Sequence, residues 1–582
     1  MTESKKKKSF VIYPTYSDIF KNGQEDIIAQ LSTEGLAEKY IVFTTSLSAL
    51  LYVSHIKGMH VQEIIMIEFK DVICNTVDGH AVLDWLISNG LKTLNFNNFT
   101  LMKLYCILLK HKKGESIDTS MSTYEKLTYL KLLFIANEKR LIKPNDSHYN
   151  LISTSQNDKF LYEKMFWPLL LSETDINESI RIEYELYRLK YFIEGIKKEY
   201  PDTTNIIDNF FKERGFDSFS SYASALSIIF LDYITSYTNH QKLKSGIKES
   251  EQIHKLFSSL VINDIEISSY FQLKTHPVYY YNGAYYVLHW NYFLSQIFIG
   301  TFMALEKKLN DAGFKDIKKA SGLIVENTLF KTVLTTSFSK YWQYALFDVE
   351  RDGKPDAMFK IGNHLFIVEL KDNLMSESVM ESLDYKCIED YINKTFIQSG
   401  KKKKAIKQLV SYINNYENNE YGDDGFSYNK RLNIYPIIIY TDYKYRINGL
   451  NHFLSTKFNE LINQEEIQQY TRQRVHPLTV IGLDSMFNLQ HKFRDKRLKL
   501  ADSIDNYHKH IKNSEKKYED KGAELFSLLY PSFDRYLPEN RNVVMPYNEI
   551  QSILKDFFSI KDTVVKQRDS NPLEKKATFE DR

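Results

Sequence analysis

Hydrophobic positions recur at helical spacing through most of the first half of the chain. Between about residues 18 and 272, segments such as LDWLISNG, FTLMKLYCILLK, YEKLTYLKLLFIA, IEYELYRLKYFIEGI and ASALSIIFLDYI repeat apolar residues every three or four positions. That is the spacing of helices with one buried stripe. Strand signals are scarce here, and no fixed-period motif marks a solenoid, although stacked helix pairs fit the pattern. At HPVYYYNGAYYVLHW the period changes: two aromatic, β-prone runs flank Asn282-Gly283, which predicts a hairpin. A helix is expected next, over 290–309.

Residues 315–490 have a different texture. The pattern predicts a helix over 317–335, strands near 343–349, 355–361 and 364–370, and a helix over 402–417. IYPIIIYTD and PLTVIGLD are continuous apolar runs of the kind that form strands covered on both faces. The order α-β-β-β-α-β-β predicts an α/β core with a mixed sheet. Beyond Asn488 the chain is charged and helical, and its last stretch, QRDSNPLEKKATFEDR, is polar enough to predict a disordered tail. The expected organisation is multidomain: a helical region over 1–272 with a recognition or regulatory role, a hairpin and helix connector over 273–314, the α/β core over 315–490, and a helical extension and tail over 491–582.

Composition narrows the classes. The 582 residues are 43% hydrophobic and 14% aromatic, enough for several buried cores. Gly 21 and Pro 12 are about half their usual shares, which disfavours a turn-dense all-β protein. Lys plus Arg is 76 and Asp plus Glu 74, a net charge of +2, so the chain is not a polycation that coats nucleic acid. Any phosphate-handling site must be local. Cys74, Cys106 and Cys387 form no CxxC pair, which argues against a zinc knuckle or disulfide framework and fits a reducing cytoplasm. The basic N-terminus is followed by too short an apolar run for a signal peptide. The longest apolar stretch, 287–305, is interrupted by His289, Asn291, Ser295 and Gln296, so no membrane association is expected.

The candidate chemistry lies in GKPDAMFKIGNHLFIVELKD. Gly362-Asn363 fits a two-residue turn, so Ile361 should face His364, and paired residues have numbers summing to 725. Asp356 then lies opposite Glu369. Two carboxylates opposed on a ladder, with Cβ atoms ~4.5–5.5 Å apart, repel one another, and a divalent cation removes that conflict. Strand alternation puts Lys371 on the face of Glu369 and turns Leu370 to the other. The other Pro-Asp pair, Pro201-Asp202, lies in helical sequence with no acid-x-Lys triplet after it. A solvated hairpin carrying Asp, Glu and Lys is the plain alternative.

Pro355-Asp356 followed by Glu369-Leu370-Lys371 resembles the PD-(D/E)xK nuclease superfamily, which has a restriction-endonuclease-like fold. The resemblance implies that Asp356 and Glu369 hold Mg²⁺, or Mn²⁺, with the Leu370 carbonyl, and that Lys371 orients or activates the attacking water. Glu326, in ASGLIVENTLFKTVL, shares a helical face with Leu323, Phe330 and Val333. By position it matches the Glu that the superfamily's first core helix presents to the metal, although a Glu at a stripe's edge paired with a nearby Lys is as plain a reading.

Gln408 and Tyr412, one turn apart on a helix, resemble the QxxxY motif of the RecB-like branch, which contacts the DNA and the active-site region. Lys401, Lys402, Lys403 and Lys404, with Lys407, are expected to open that helix, where cations are unfavourable unless anions such as phosphates arrive. A solvated lysine-rich surface is the alternative, and lysines 5–8 invite the same pair of readings. No P-loop, GxGxxG, GxSxG or HExxH motif is present.

The resemblance covers under a third of the chain. It implies a metal-dependent nuclease hydrolysing phosphodiester bonds, with DNA as substrate. An RNA-directed nuclease and a catalytically inactive nucleic-acid-binding scaffold of the same fold are the alternatives. Analogy with bacterial restriction and anti-phage defence effectors suggests that the large helical region binds a partner protein, self-associates, or gates the nuclease.

Overall fold

The computed structural model describes residues 14–140 and 353–400 with short breaks, a few positions over 160–167, and then 182–238, 246–263, 270–347 (except 316), 401–518 and 529–537. Lysines 5–8 and the residues of the expected tail lie outside the described residues. No helix among those described is long and apolar enough to cross a membrane.

The helical periodicity of the first half is realised in helices such as Leu36–Lys57, Asn98–Leu108 and Ile182–Glu199. Their apolar stripes meet in one core that runs from Tyr16 to Ile324. Two short strands pair where a hairpin is expected, β2 (Val278–Tyr281) with β3 (Ala284–Val287), and a third, β1 (Ile247–Lys248), adds beside β3. Asn282 and Gly283 both take positive φ, 48° and 67°, as a two-residue turn matched to the strand twist requires. The following helix runs through Trp290–Ser295, a π turn at Gln296–Gly300 and Thr301–Asp311. Hairpin and helix pack within the same core as the preceding helices. No break in packing therefore falls at residue 273.

The second half is built on a five-stranded mixed sheet of order β10-β9-β6-β5-β4. Its strands are β4 (Tyr344–Leu346), β5 (Ala357–Ile361), β6 (His364–Lys371), β9 (Asn433–Tyr440) and β10 (Thr479–Gly482). β4, β5 and β6 pair antiparallel, whereas β9 joins β6 and β10 joins β9 in parallel. Parallel neighbours need long crossovers, usually helical. The helices Tyr385–Phe396, Ala405–Glu417 and Leu450–Ile462 cover one face, packing on Met358, Leu365, Ile367, Ile438 and Val480. Lys331–Phe338, Leu483–Arg494 and Leu500–Tyr518 cover the other, on Phe359, Phe366, Val368, Leu370, Ile437 and Ile481. Burial on both faces is why β9 and β10 read as unbroken apolar runs.

Two expectations need correction. The helix expected from residue 402 begins at Ala405. Lys402–Lys403 instead pair as β8 with β7 (Gln398–Ser399), around Gly400 at φ 58°. The segment between Lys371 and this hairpin contains the Tyr385–Phe396 helix. Finally, Leu323 does not share the buried stripe of Phe330 and Val333, being 43% exposed. The cause is a π turn at Glu326–Phe330 between Ile317–Val325 and Lys331–Phe338, which adds a residue to the turn and rotates what precedes it.

The helical half and the sheet half meet along the Ile182–Glu199 helix. A Cβ on Gly195 would lie 2.2 Å from Ile324 Cγ2, so only glycine lets this helix approach the one that leads to Glu326. Gly195→Leu should therefore lower stability by about 1–3 kcal/mol through overpacking, despite its better helix propensity. The shift in urea midpoint at constant m-value measures it.

Candidate active site

The β5–β6 ladder pairs Ile361 with His364 and Ala357 with Val368, so its numbers sum to 725 as the turn predicts. Asp356, one residue before β5, continues that register opposite Glu369. Leu365, Ile367, Glu369 and Lys371 alternate onto one face of β6, the face covered by the Ala405–Glu417 helix. Leu370 packs on the opposite face. Glu369 and Lys371 thus sit at the carboxyl end of a strand flanked by a parallel neighbour, where open α/β sheets place ligands.

Glu369 is 2% exposed. Its Oε1 accepts from Lys371 Nζ at 2.6 Å, and its Oε2 has no hydrogen-bond partner. Asp356 Oδ2 accepts from the Leu370 N–H at 2.6 Å, which ties the residue between acid and lysine to the opposing carboxylate. Glu326 enters from the π turn with its carboxyl group against Asp356, and its Oε1 is also buried without a partner. Gln408 Oε1 accepts from Lys371 Nζ at 3.4 Å, and Gln408 Nε2 donates to the Tyr412 hydroxyl at 3.3 Å. Seven of the residues singled out from sequence, Leu370 through its backbone, therefore form one connected cluster.

Burial dominates the electrostatics. It pushes the Glu326 carboxyl up to about 9, aided by Asp356 and Glu369 and opposed by Lys371. The Glu369 carboxyl is pushed up to about 7 by burial and then Asp356, against Lys371 and Tyr412. Asp356 is raised too, by burial, while Lys371, Glu326 and the Leu370 N–H work the other way. Three acids share one lysine in a place with little water. Such a group either holds protons or takes up positive charge from outside.

Among the described residues, no three acid, imidazole or thiolate side chains already close on one point as a metal cage. The three acids turn instead onto each other, Lys371 and the Leu370 N–H. Yet the two orphaned oxygens, Glu326 Oε1 and Glu369 Oε2, are the hard donors that a magnesium-like ion prefers. The donor set fits a small divalent cation.

The lysines divide. Lys404, the N-cap residue of the Ala405–Glu417 helix, is half-buried; burial lowers its ammonium pKa, as do Lys371 and Lys402, while Glu369 opposes them. Lys401 to Lys403 are exposed on the β7–β8 hairpin, Lys403 Nζ donating to Ser411 Oγ at 2.9 Å. Lys407 is tied to Gln398. Lys404 stands close enough to Glu369 to feel its charge, and the run does not open the helix as expected.

Sequence reasoning missed Arg188. This side chain comes from the helical half, is buried, and pairs with Asp372, the residue after Lys371, at 3.3 Å. Its position in an amphipathic helix shows a polar residue near a stripe, but no spacing rule connects it to a strand end 184 residues away. No family model, no curated protein and no solved structure matches this chain.

Because the folded chain holds the Glu326 and Glu369 protons more tightly than the unfolded chain, where the ordinary value is 4.5, their contribution to stability is complete below that value. It is lost as pH rises through about 7 and about 9. In EDTA, Tm should fall over this window, and the stabilisation by Mg²⁺ or Mn²⁺ should grow as protons leave. Glu326→Gln should flatten both trends. Calorimetry across the pH series checks this, and a metal effect independent of pH would count against a carboxylate site.

Proposed function

We propose that this chain is a metal-dependent nuclease of the PD-(D/E)xK kind, with a restriction-endonuclease-like core around the mixed sheet and DNA as its substrate. The observation that carries the reading is the pair of buried, partnerless carboxylate oxygens, Glu326 Oε1 and Glu369 Oε2, beside Asp356 and Lys371 at a strand's carboxyl end. Single buried oxygens without a partner occur elsewhere in the molecule, as at Glu163 Oε2, but here two of them gather beside a third acid and a single lysine, a costly arrangement that a bound cation relieves.

Glu326, Asp356 and Glu369 would hold Mg²⁺ or Mn²⁺, with the Leu370 carbonyl available as a further oxygen donor. When bound, that ion supplies Lewis acidity to a phosphoryl oxygen and makes a coordinated water more acidic. Lys371 Nζ is bonded to Glu369 Oε1 and near Gln408 Oε1, and would stand beside the reacting phosphate. It is placed to hydrogen-bond the attacking water and to offset charge that develops on the phosphoryl oxygens. Gln408 holds the lysine from behind and is itself held by Tyr412, a phenol that burial keeps protonated. Attack by water on phosphorus with cleavage of the P–O3′ bond leaves a 5′-phosphate and a 3′-hydroxyl.

Plasmid and linear DNA should be cut with Mg²⁺ or Mn²⁺ and not in EDTA. Glu369→Ala and Lys371→Ala should each lower the rate by at least ~10²-fold, the scale of losing a charge-stabilising group. Gln408→Ala should cost less, since it acts through Lys371. Cutting by either first variant at the parental rate would remove the basis of the reading, and cleavage of RNA alone would reassign the substrate.

A further inference from the structure

Beside the acids lies a second feature of opposite charge. A cavity of about 630 Å³ separates the helices of the N-terminal half from the Tyr385–Phe396 helix and the start of the Ala405–Glu417 helix. Its charged walls are Arg188, Lys394 and Lys404 against Asp372 alone. Asp372 is already paired with Arg188, and neither Lys394 nor Lys404 makes an ion pair with a described residue. Arg188 Nε is buried without a hydrogen-bond partner. The cavity therefore favours an anion, whereas the neighbouring acids favour a cation.

The two sites are contiguous. Val325 precedes Glu326, Asp372 follows Lys371, and Lys404 lies in the field of Lys371 and Glu369; all three line the cavity. The cavity also has aromatic walls. Phe302 and Tyr391 are half-buried and face it, Phe302 being braced by a stacked Phe298 at 5.9 Å that lies under the Arg188 guanidinium. Aromatic faces with cations between them are how single strands are gripped without regard to sequence. A cavity of this size suits one small ligand and has no room for a base pair with both its backbones.

We infer that this cavity holds an unpaired nucleotide of the strand being cut, adjoining the phosphate over the acids, so that the protein acts on single-stranded or frayed substrate. The inference rests on the hydrolytic reading above. Lys394 and Lys404 take the backbone phosphate, and Phe302 or Tyr391 takes the base.

Gly322 provides the test. It lines the cavity from a helix, and a Cβ there meets nothing within 4 Å, so a large side chain can fill the space without moving backbone. Lys394 is exposed, so its replacement leaves the core intact. Binding of a labelled 12-nucleotide oligothymidylate and of a blunt duplex to the full chain is measured in EDTA by anisotropy. The single strand should bind at least tenfold more tightly than the duplex. Gly322→Trp and Lys394→Glu should each weaken the single strand tenfold or more and change duplex binding less than twofold. Lys394→Ala should reduce the salt slope for the single strand by about 0.7.

Parental affinity in a folded Gly322→Trp protein overturns the inference, as does a thymidine mononucleotide that binds as tightly as the 12-mer. Failure here with normal metal-dependent plasmid cleavage leaves the hydrolytic reading standing. Loss of single-strand binding in Gly322→Trp, in a parent that cuts nothing, sustains the cavity and removes the hydrolysis.

Discussion

Three carboxylates and one lysine sharing a desolvated corner are the constraint around which this molecule is arranged. Burial disfavours the charged form of each of Glu326, Asp356 and Glu369, neighbouring acids add to this at Glu326 and Glu369, and Lys371 offsets only part of it. Such an arrangement stores unfavourable electrostatics that a well-packed apolar corner would lack. Its persistence demands a rigid frame, and the frame is visible. Glu369 and Lys371 are fixed by the central strand of the sheet, Asp356 by its register partner, and Glu326 by a π turn in the helix that packs across the opposite face.

The helical half is part of this frame. Gly195 brings the Ile182–Glu199 helix against Ile324, two residues before Glu326, and Arg188 on the same helix pairs with Asp372, one residue after Lys371. Both ends of the acid cluster are therefore braced by one helix. The positions of Glu326 and of the end of β6 are thus set against a common support.

Much of this was legible in the sequence, and the reason is local. The 725 register followed from one two-residue turn at Gly362-Asn363, and it fixed Asp356 against Glu369 and Lys371 beside it without knowledge of the rest of the fold. Gln408 and Tyr412 followed from helical spacing alone. What stayed hidden depends on contacts that sequence spacing does not encode. A π turn leaves no compositional mark, so Leu323 looked buried and is not. Two-residue strands are too short to carry a period, so the lysine run read as a helix start and the turn at Gly400 went unread. Arg188 and Asp372 are far apart in the chain, and their pairing exists only once the two halves dock.

The near-neutral charge of the chain takes on a spatial meaning in this arrangement. Cancellation over 582 residues hides a separation over a few ångströms: carboxylates gather at the carboxyl end of β6, and Arg188, Lys394 and Lys404 gather around the cavity next to it. A phosphodiester strand carries an anion along its length and, during hydrolysis, gathers more negative charge at one phosphate. Under the proposed reading, cations beside an acid cluster that would take a metal match that distribution better than a uniformly basic surface would, because a uniform surface binds every phosphate alike and singles out none. The same separation explains why Lys404 is drawn two ways, repelled by Lys371 and held by Glu369. It stands at the boundary between the two charged regions, which in the proposed reading is where a strand passes from being gripped to being cut.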